Sequence, residues 1–149
     1  MPRSLVVDAS FTLRMILPGP RRDAFRSQME LWLQEEYTLH APTLWVYEMT
    51  SALCKGAYFD LLTAEEAERS LSVLQELAIE LVPPDAQGLQ NRRAFAWTRR
   101  LNRAAAYDSF YLALAEAMHC DLWTADRRLC NAVDLPWVRF VEESENPGT

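Results

Sequence analysis

Four carboxylates stand at positions where a buried helix or strand begins, ends or is interrupted. Asp8 closes the apolar run of "SLVVD", and Asp126 closes "DLWTAD". Glu48 lies inside the apolar stripe of "APTLWVYEMTSALCKG", and Asp108 begins the apolar helix of "AAAYDSFYLALAEAMHCD". Each acid alone also has an ordinary structural explanation, because Asp is a preferred helix N-cap and Glu can extend to the rim of a core.

The chemistry open to these acids depends on whether the fold brings them together. Two unit charges about 4 Å apart repel by roughly 4 kcal/mol at an effective dielectric of 20, so a cluster must bind protons or a cation. Oxygen ligands without a nearby histidine or thiolate suit Mg²⁺ or Mn²⁺. Such an ion can activate a water and stabilise the charge on a phosphodiester. The four acids therefore predict a metal site for phosphodiester hydrolysis.

Five strand-like runs alternate with helix-length segments along the chain. This alternation predicts βαβ units and an α/β fold, with a parallel sheet covered on both faces by helices. Ligands bind such sheets outside the carboxyl ends of the strands, which is where Asp8 and Asp126 stand. The five runs are residues 4–8, 37–42, 78–83, 121–126 and 137–143.

Two of the intervening segments read clearly as scaffold helices. Residues 21–36 repeat apolar side chains at the spacing of one buried helical stripe. Residues 63–78 open with Thr63 and Glu66, which form the S/T-x-x-E pattern of a capping box. Neither segment carries candidate chemistry, so we expect both to position the site rather than to contribute to it.

Length and composition fit one domain with a proper core. The chain has 149 residues, half of them hydrophobic, and we expect a single domain over residues 1–143. The polar end, residues 144–149, predicts a flexible tail. Neither a membrane span nor a secretory signal pattern is visible, which favours a cytoplasmic protein without a membrane partner.

Several familiar kinds of site are disfavoured by the residue counts. The four glycines form no phosphate-binding loop or dinucleotide fingerprint. The three cysteines lack C-x-x-C spacing, so neither a disulfide framework nor a zinc site is indicated. The two histidines lie far apart in sequence and near no nucleophile motif.

A basic segment precedes Asp108. Residues 86–107 contain five arginines and no acid, although the net charge of the chain is −6. Read as one helix, the segment presents a basic face that could hold the backbone of a nucleic acid beside the metal site; a merely solvated helix face is the alternative. The candidate RNA-binding residues are Arg92, Arg99, Arg103 and, directly after Asp126, Arg127.

Three segments together resemble a known family. "VVDAS", "APTLWVYEMTSAL" and "AYDSFYLALAEAMHCDLWTADRRL" are similar to the corresponding motifs of PIN-domain ribonucleases, specifically the VapC-like toxins of toxin–antitoxin pairs. The resemblance runs from about residue 4 to residue 141. Its last motif, a Tyr-Asp-x-x-Tyr-Leu-Ala-Leu-Ala helix followed by a strand that ends in Thr-x-Asp, is the most specific.

The resemblance implies a three-layer α/β/α fold with a parallel sheet of about five strands. It implies a Mg²⁺ or Mn²⁺ site made by the four acids, with the hydroxyls of Ser10 and Thr124 in support. It further implies cleavage of RNA, assembly as a homodimer, and a small antitoxin protein that wraps the toxin and enters its active-site groove.

Other functions fit the residues less well. A haloacid-dehalogenase-like phosphatase needs a second Asp at the position of Ser10, and both that class and a response-regulator receiver need a lysine where this chain offers only Lys55. A catalytically silent PIN-fold module that binds RNA or protein remains the alternative to a nuclease.

Overall fold

A parallel sheet of five strands forms the centre of the computed structural model, which describes residues 3–141. The predicted α/β fold and strand count are therefore confirmed. The predicted tail, and the last two residues of the fifth strand-like run, lie outside the described residues. The strands are β1 (Arg3–Val7), β2 (Tyr37–Pro42), β3 (Glu80–Val82), β4 (Asp121–Thr124) and β5 (Val138–Phe140).

Seven helices connect the strands within residues 3–141, and none of them has the length and hydropathy that crossing a membrane requires. Both predicted scaffold helices form, and the Thr63 hydroxyl oxygen accepts the N–H of Glu66 at 3.1 Å as the capping box predicts. The helices are α1 (Ala9–Ile16), α2 (Arg22–Gln34), α3 (Leu44–Tyr58), α4 (Ala64–Glu76), α5 (Leu89–Arg100), α6 (Tyr107–Met118) and α7 (Arg127–Val133).

Helix layers cover both faces of the sheet, as the three-layer fold requires. Leu5, Val6 and Val7 are successive residues of β1 and all are buried. Because successive strand residues point to opposite faces, apolar groups must pack on each side. On one side the rings of Phe11 and Trp32 lie 5.1 Å apart, and Trp32 packs against Trp123 of β4.

The strand order creates a crevice at the centre of the sheet. The order is β3-β2-β1-β4-β5, so the chain moves outward from β1 through β2 to β3 and then returns to place β4 beside β1. The backbone N–H of Asp8 donates to the carbonyl of Trp123 at 3.2 Å. The carboxyl ends of β1 and β4 therefore meet at the point where the direction of winding changes, which is where such sheets bind ligands.

The basic segment is not one continuous helix. Helix α5 ends at Arg100, and Asn102 has a left-handed φ of 53°. A left-handed residue stops the α-helical hydrogen-bond pattern, and Asn tolerates that conformation better than most residues. The expectation that Arg103 lies on the same helical face as Arg92 and Arg99 is therefore wrong: Arg103 lies in the loop between α5 and α6.

Candidate active site

A cleft of about 670 Å³ opens at the carboxyl ends of β1 and β4. Four different parts of the chain supply its acidic lining: the end of β1, helix α3, the first turn of α6 and the end of β4. Leu44 and Ala52 line the cleft together with the glutamate between them, so the shared helical face predicted for α3 forms. The acids that line the cleft are Asp8, Glu48, Asp108 and Asp126.

Asp8 is buried at the floor of the cleft, with only 4% of its surface exposed. It is the N-cap of α1, and its Oδ1 accepts the N–H of Phe11 at 2.9 Å. The same oxygen accepts the hydroxyl of Ser10 at 2.7 Å. These hydrogen bonds hold one carboxylate oxygen in place. Asp8 therefore caps α1 and still points into the cleft.

The hydroxyls of Ser10 and Thr124 join the ends of β1 and β4. They lie 3.2 Å apart. Ser10 Oγ also accepts the N–H of Ala125 at 3.0 Å, and Thr124 Oγ1 accepts the N–H of Asp126 at 3.0 Å. These bonds fix the backbone that carries Asp126 relative to Asp8, which is a supporting position of the kind the resemblance implied.

Glu48 is held by Tyr111. The Tyr111 hydroxyl donates to Glu48 Oε1 at 2.7 Å, and the tyrosine side chain is almost completely buried. Tyr111 lies three residues after Asp108 on α6, so this bond links the two helices that carry Glu48 and Asp108. Tyr111 had no role in the expectations from the sequence beyond being the second tyrosine of the Tyr-Asp-x-x-Tyr motif, although a glutamate in an apolar stripe needs a buried donor.

Asp108 and Asp126 are each held through one oxygen. Arg103 donates from Nη1 to Asp108 Oδ2 at 2.8 Å. Asp126 caps α7, where its Oδ1 accepts the N–H groups of Arg128 at 2.9 Å and Leu129 at 3.2 Å. Every acid in the cleft is thus oriented by a hydrogen bond to one of its oxygens.

Burial and repulsion between neighbouring acids raise the pKa values of three of these carboxylates, those of Asp8, Glu48 and Asp108. Loss of solvent raises the pKa of Asp8 to about 6, against the lowering effect of hydrogen bonds from Thr124, Ser10 and Phe11, and the charge of Asp108 adds to the rise. Burial also raises the pKa values of Glu48 and Asp108. The neighbouring acid Asp108 contributes to the rise at Glu48, as Asp126 does at Asp108. The four acids therefore act electrostatically as one cluster.

The acids share the cleft without forming a closed ligand cage. Within residues 3–141, no group of three or more Asp, Glu, His or Cys side chains is arranged closely enough to hold a metal ion. Like charges favour this wider spacing, and Arg103 engages one oxygen of Asp108. An ion that keeps several of its waters and contacts one or two carboxylates directly suits this arrangement, and Mg²⁺ behaves in this way.

The predicted RNA-binding arginines fall into two groups. Arg103 contacts Asp108 of the cleft, and Arg127 directly follows Asp126 with its guanidinium 4.5 Å from the Phe140 ring centroid. Arg92 and Arg99 lie on exposed positions of α5. At the Arg92 end of α5, Arg93 pairs with Glu116 of α6. Glu116 lies about 12 Å along α6 from Asp108, because the helix rises about 1.5 Å per residue. The structure thus brings Arg103 to an acid of the cleft, packs Arg127 on the Phe140 ring, and leaves Arg92 remote from the cleft.

One cation of the cleft, Lys55, was not among the site residues expected from the sequence. Lys55 lines the cleft from α3. It lies seven residues, or two helical turns, after Glu48, so the helical spacing that placed Glu48 inward would also have placed Lys55 on the same side.

The raised pKa of Asp8 predicts a pH-dependent stability. Well below pH 4 the carboxyl is protonated in both states, because the ordinary pKa of this group is 3.8. Between about pH 4 and 6 the carboxyl ionises in the unfolded chain but stays protonated in the native state, so the free energy of unfolding falls as the pH rises, by up to about 3 kcal/mol. Asp8→Asn keeps an N-cap and removes the charge. In EDTA, urea unfolding should show the variant gaining stability over wild type between pH 4 and 7.

Asp134→Asn is the control for that comparison. Asp134 is exposed and left-handed, with a φ of 50°, a conformation that Asn tolerates. Its stability difference from wild type should stay flat over the same pH range. A difference for Asp8→Asn that is equally flat would contradict the buried charge.

Comparison with known proteins identifies relatives over most of the chain. The family described as PIN domain matches residues 5–135. Ribonuclease VapC9 of Mycobacterium tuberculosis is 37% identical over 126 residues, which cover 84% of this chain and 87% of that protein. Ribonuclease VapC3 of Pyrobaculum aerophilum is 34% identical over 126 residues, which cover 84% and 91%.

Solved structures share the fold at lower identity. PAE2754 from Pyrobaculum aerophilum superposes with a TM-score of 0.68 at 20% identity, over 93% of this chain and 84% of that one. A chain of a toxin–antitoxin complex from Klebsiella pneumoniae gives 0.63 at 13% identity, over 94% and 99%. The residues matched by the PIN-domain family include the ends of β1 and β4 and the helices that line the cleft. The chain belongs to the PIN-domain family, among the proteins named VapC ribonucleases.

Proposed function

We propose that this chain is a divalent-metal-dependent endoribonuclease that hydrolyses RNA phosphodiester bonds in the cleft between α3 and α6. The observation that carries the proposal is that four distant segments each bring one carboxylate to the same cleft at the switch point of the sheet. RNA as the substrate is supported by relatives that bear the name ribonuclease at 34–37% identity over most of their length.

The donor set suits a hard divalent cation. All four acids offer oxygen, and the raised pKa values of Asp8, Glu48 and Asp108 are those of groups that gain from a nearby positive charge. The same four acids would hold Mg²⁺ or Mn²⁺. When bound, such an ion would supply Lewis-acid polarisation of the phosphodiester and a water of lowered pKa.

The side chains around the acids prepare the cleft for an anionic substrate. Ser10 and Phe11 orient the Asp8 carboxylate, and Tyr111 orients that of Glu48. Lys55 and Arg103 place positive charge at the cleft, where a phosphate would otherwise meet only acids. The proposed RNA contacts extend outward to Arg127, Arg92 and Arg99. For Arg92 and Arg99, on α5, the proposed contact is supported by their positive charge alone.

We also propose that the protein is the toxin of a toxin–antitoxin pair, works as a homodimer and binds a small antitoxin. A solved structure of this fold that is a toxin–antitoxin complex supports the antitoxin partner, and the distribution of exposed apolar surface supports a protein interface. Around α3 and α4, the exposed large apolar side chains include Val46, Tyr58, Phe59, Leu61 and Leu71. Apolar surface of this kind marks protein interaction sites.

Removing one acid should stop RNA cleavage without unfolding the chain. Asp8→Asn and Asp126→Asn both preserve helix capping, because Asn is also a good N-cap. Loss of groups that merely support metal ligands costs about 10- to 100-fold, so loss of a ligand should lower the rate of RNA cleavage with Mg²⁺ or Mn²⁺ by roughly 100-fold or more. The measurement is the initial rate on labelled RNA, and EDTA should abolish cleavage by the wild type.

Asp121→Asn is the matched control for that experiment. It removes a carboxylate from the opposite end of β4, where Asp121 pairs with Arg139, and it should cleave at the wild-type rate. Wild type that binds RNA but leaves it intact with either ion would instead indicate a silent binding module. Variants that cleave as fast as wild type would expose a contaminating nuclease.

Removing the Tyr111 hydroxyl should impair catalysis through Glu48. Tyr111→Phe keeps the buried ring and deletes the hydroxyl that donates to Glu48 Oε1 and also bonds to the backbone of Ala9. We expect kcat on RNA to fall about tenfold, within the range for groups that orient metal ligands, with the Kd for RNA nearly unchanged.

A double-mutant cycle separates this positioning role from a general packing role. Because Tyr111 acts through Glu48, the Glu48→Gln/Tyr111→Phe double variant should be no slower than Glu48→Gln alone. Tyr58→Phe, which deletes an exposed hydroxyl elsewhere on α3, should match wild type. Additive losses in the cycle would refute the coupling.

A further inference from the structure

A second groove adjoins the acidic cleft on the side of α1 and the α1–α2 turn. It has a volume of about 280 Å³ and shares Ser10 and Leu13 with the cleft. Among residues 3–141, three arginines and no acid line it. A phosphate chain that lies on the carboxylates can therefore continue directly onto positive charge. The arginines are Arg14, Arg21 and Arg22.

The groove has one anchored arginine and two that can engage a ligand. Arg21 donates from Nη2 to the carbonyl of Val141 at 2.8 Å, and its guanidinium lies 5.4 Å from the Phe140 ring centroid. Arg127 reaches the same ring at 4.5 Å, so Phe140 brings this groove next to the residue that follows Asp126. Within residues 3–141, Arg14 and Arg22 form no ion pair.

Two exposed tyrosines line the cleft itself. Tyr47 on α3 is 70% exposed, and Tyr107 at the start of α6 is 60% exposed. Large aromatic side chains usually bury their rings, so two open rings beside a phosphodiester site are available for stacking. Proteins that bind single strands combine such rings with a basic groove that follows the backbone.

We propose that the RNA backbone runs from the carboxylates into the groove of Arg14, Arg21 and Arg22, with bases stacked on Tyr47 and Tyr107. This inference rests on the proposed ribonuclease function and adds the path of the substrate over this chain. A duplex buries its base faces against each other, so it can use the arginines but not the tyrosines.

The test measures binding in the full chain carrying Asp126→Asn, which prevents cleavage. Fluorescence anisotropy with an unstructured 12-nucleotide RNA in Mg²⁺ gives the Kd as a function of KCl concentration. For a single strand, each lost phosphate contact reduces the slope of log K against log salt by about 0.7. Arg14→Gln and Arg22→Gln should each reduce the slope by this amount, and the double variant should reduce it by about 1.4. Arg69→Gln removes the same charge from an exposed site on α4 and should leave the slope unchanged.

The tyrosines give an independent test of base stacking. Tyr47→Ala/Tyr107→Ala should weaken single-strand binding about tenfold or more with an unchanged salt slope, whereas the corresponding Phe substitutions, which retain the rings, should restore affinity. A 12-base-pair RNA duplex should bind at least about tenfold more weakly than the single strand. Equal binding of duplex and single strand, or an unchanged slope in the Arg14/Arg22 double variant, would overturn the proposed path.

The proposed function is tested separately with a substrate too small to reach the groove. Bis(p-nitrophenyl) phosphate in Mn²⁺ should be hydrolysed by the wild type and not by Asp8→Asn. If the wild type hydrolyses this diester but the groove variants keep an unchanged RNA salt slope, the proposed path is rejected and the proposed nuclease function stands. If the wild type hydrolyses neither the diester nor RNA, the proposed nuclease function is rejected.

Discussion

The buried carboxylate of Asp8 is the constraint around which the cleft is built. Burying a charge without compensation is strongly unfavourable, and here only two donors on its Oδ1 and a neighbouring hydroxyl offset the loss of water. Those donors come from Ser10 and Phe11, at the start of α1, while Ser10 also binds the backbone after β4. The position of one charged group therefore fixes where β1, α1 and β4 meet.

The walls of the cleft are joined to that floor by a small number of buried polar contacts. Thr12 on α1 accepts the indole N–H of Trp45 at 3.0 Å, and its hydroxyl contacts the sulfur of Met49 at 3.0 Å, so α1 and α3 are held together one turn from Glu48. On the other side, Tyr111 joins Glu48 to α6. Because Thr12, Trp45, Met49 and Tyr111 are buried, neither wall can shift without leaving a buried polar group unsatisfied.

Positive charge around the cleft is divided according to what each arginine contacts. On α5 the guanidinium groups are partly engaged within the protein, since Arg93 pairs with Glu116 and Arg100 lies 4.7 Å from the Trp97 ring. Near the cleft, Arg103 pairs with Asp108, and within residues 3–141 the groove at α1 and the α1–α2 turn is lined by arginines and by no acid. A negative chain can therefore hold a polyanion locally, because at physiological salt an exposed charge acts over only about 8 Å.

The sequence by itself determined the features that depend on neighbours along the chain. Apolar runs located the strands, the Thr63 capping box located a helix start, and the acids after β1 and β4 stood out because each ends a buried run. The ends of helices and strands were predicted less exactly. Ala78 and Asn102 have a left-handed φ that ends regular secondary structure, and no proline or glycine marks these positions in the sequence. What only the tertiary structure decided is which side chains meet: Glu48 and Tyr111 are 63 residues apart, and Ser10 and Thr124 are 114 apart. Those pairings follow from the order of the strands and the packing of helices on them, which depend on the burial of the whole core rather than on any local pattern.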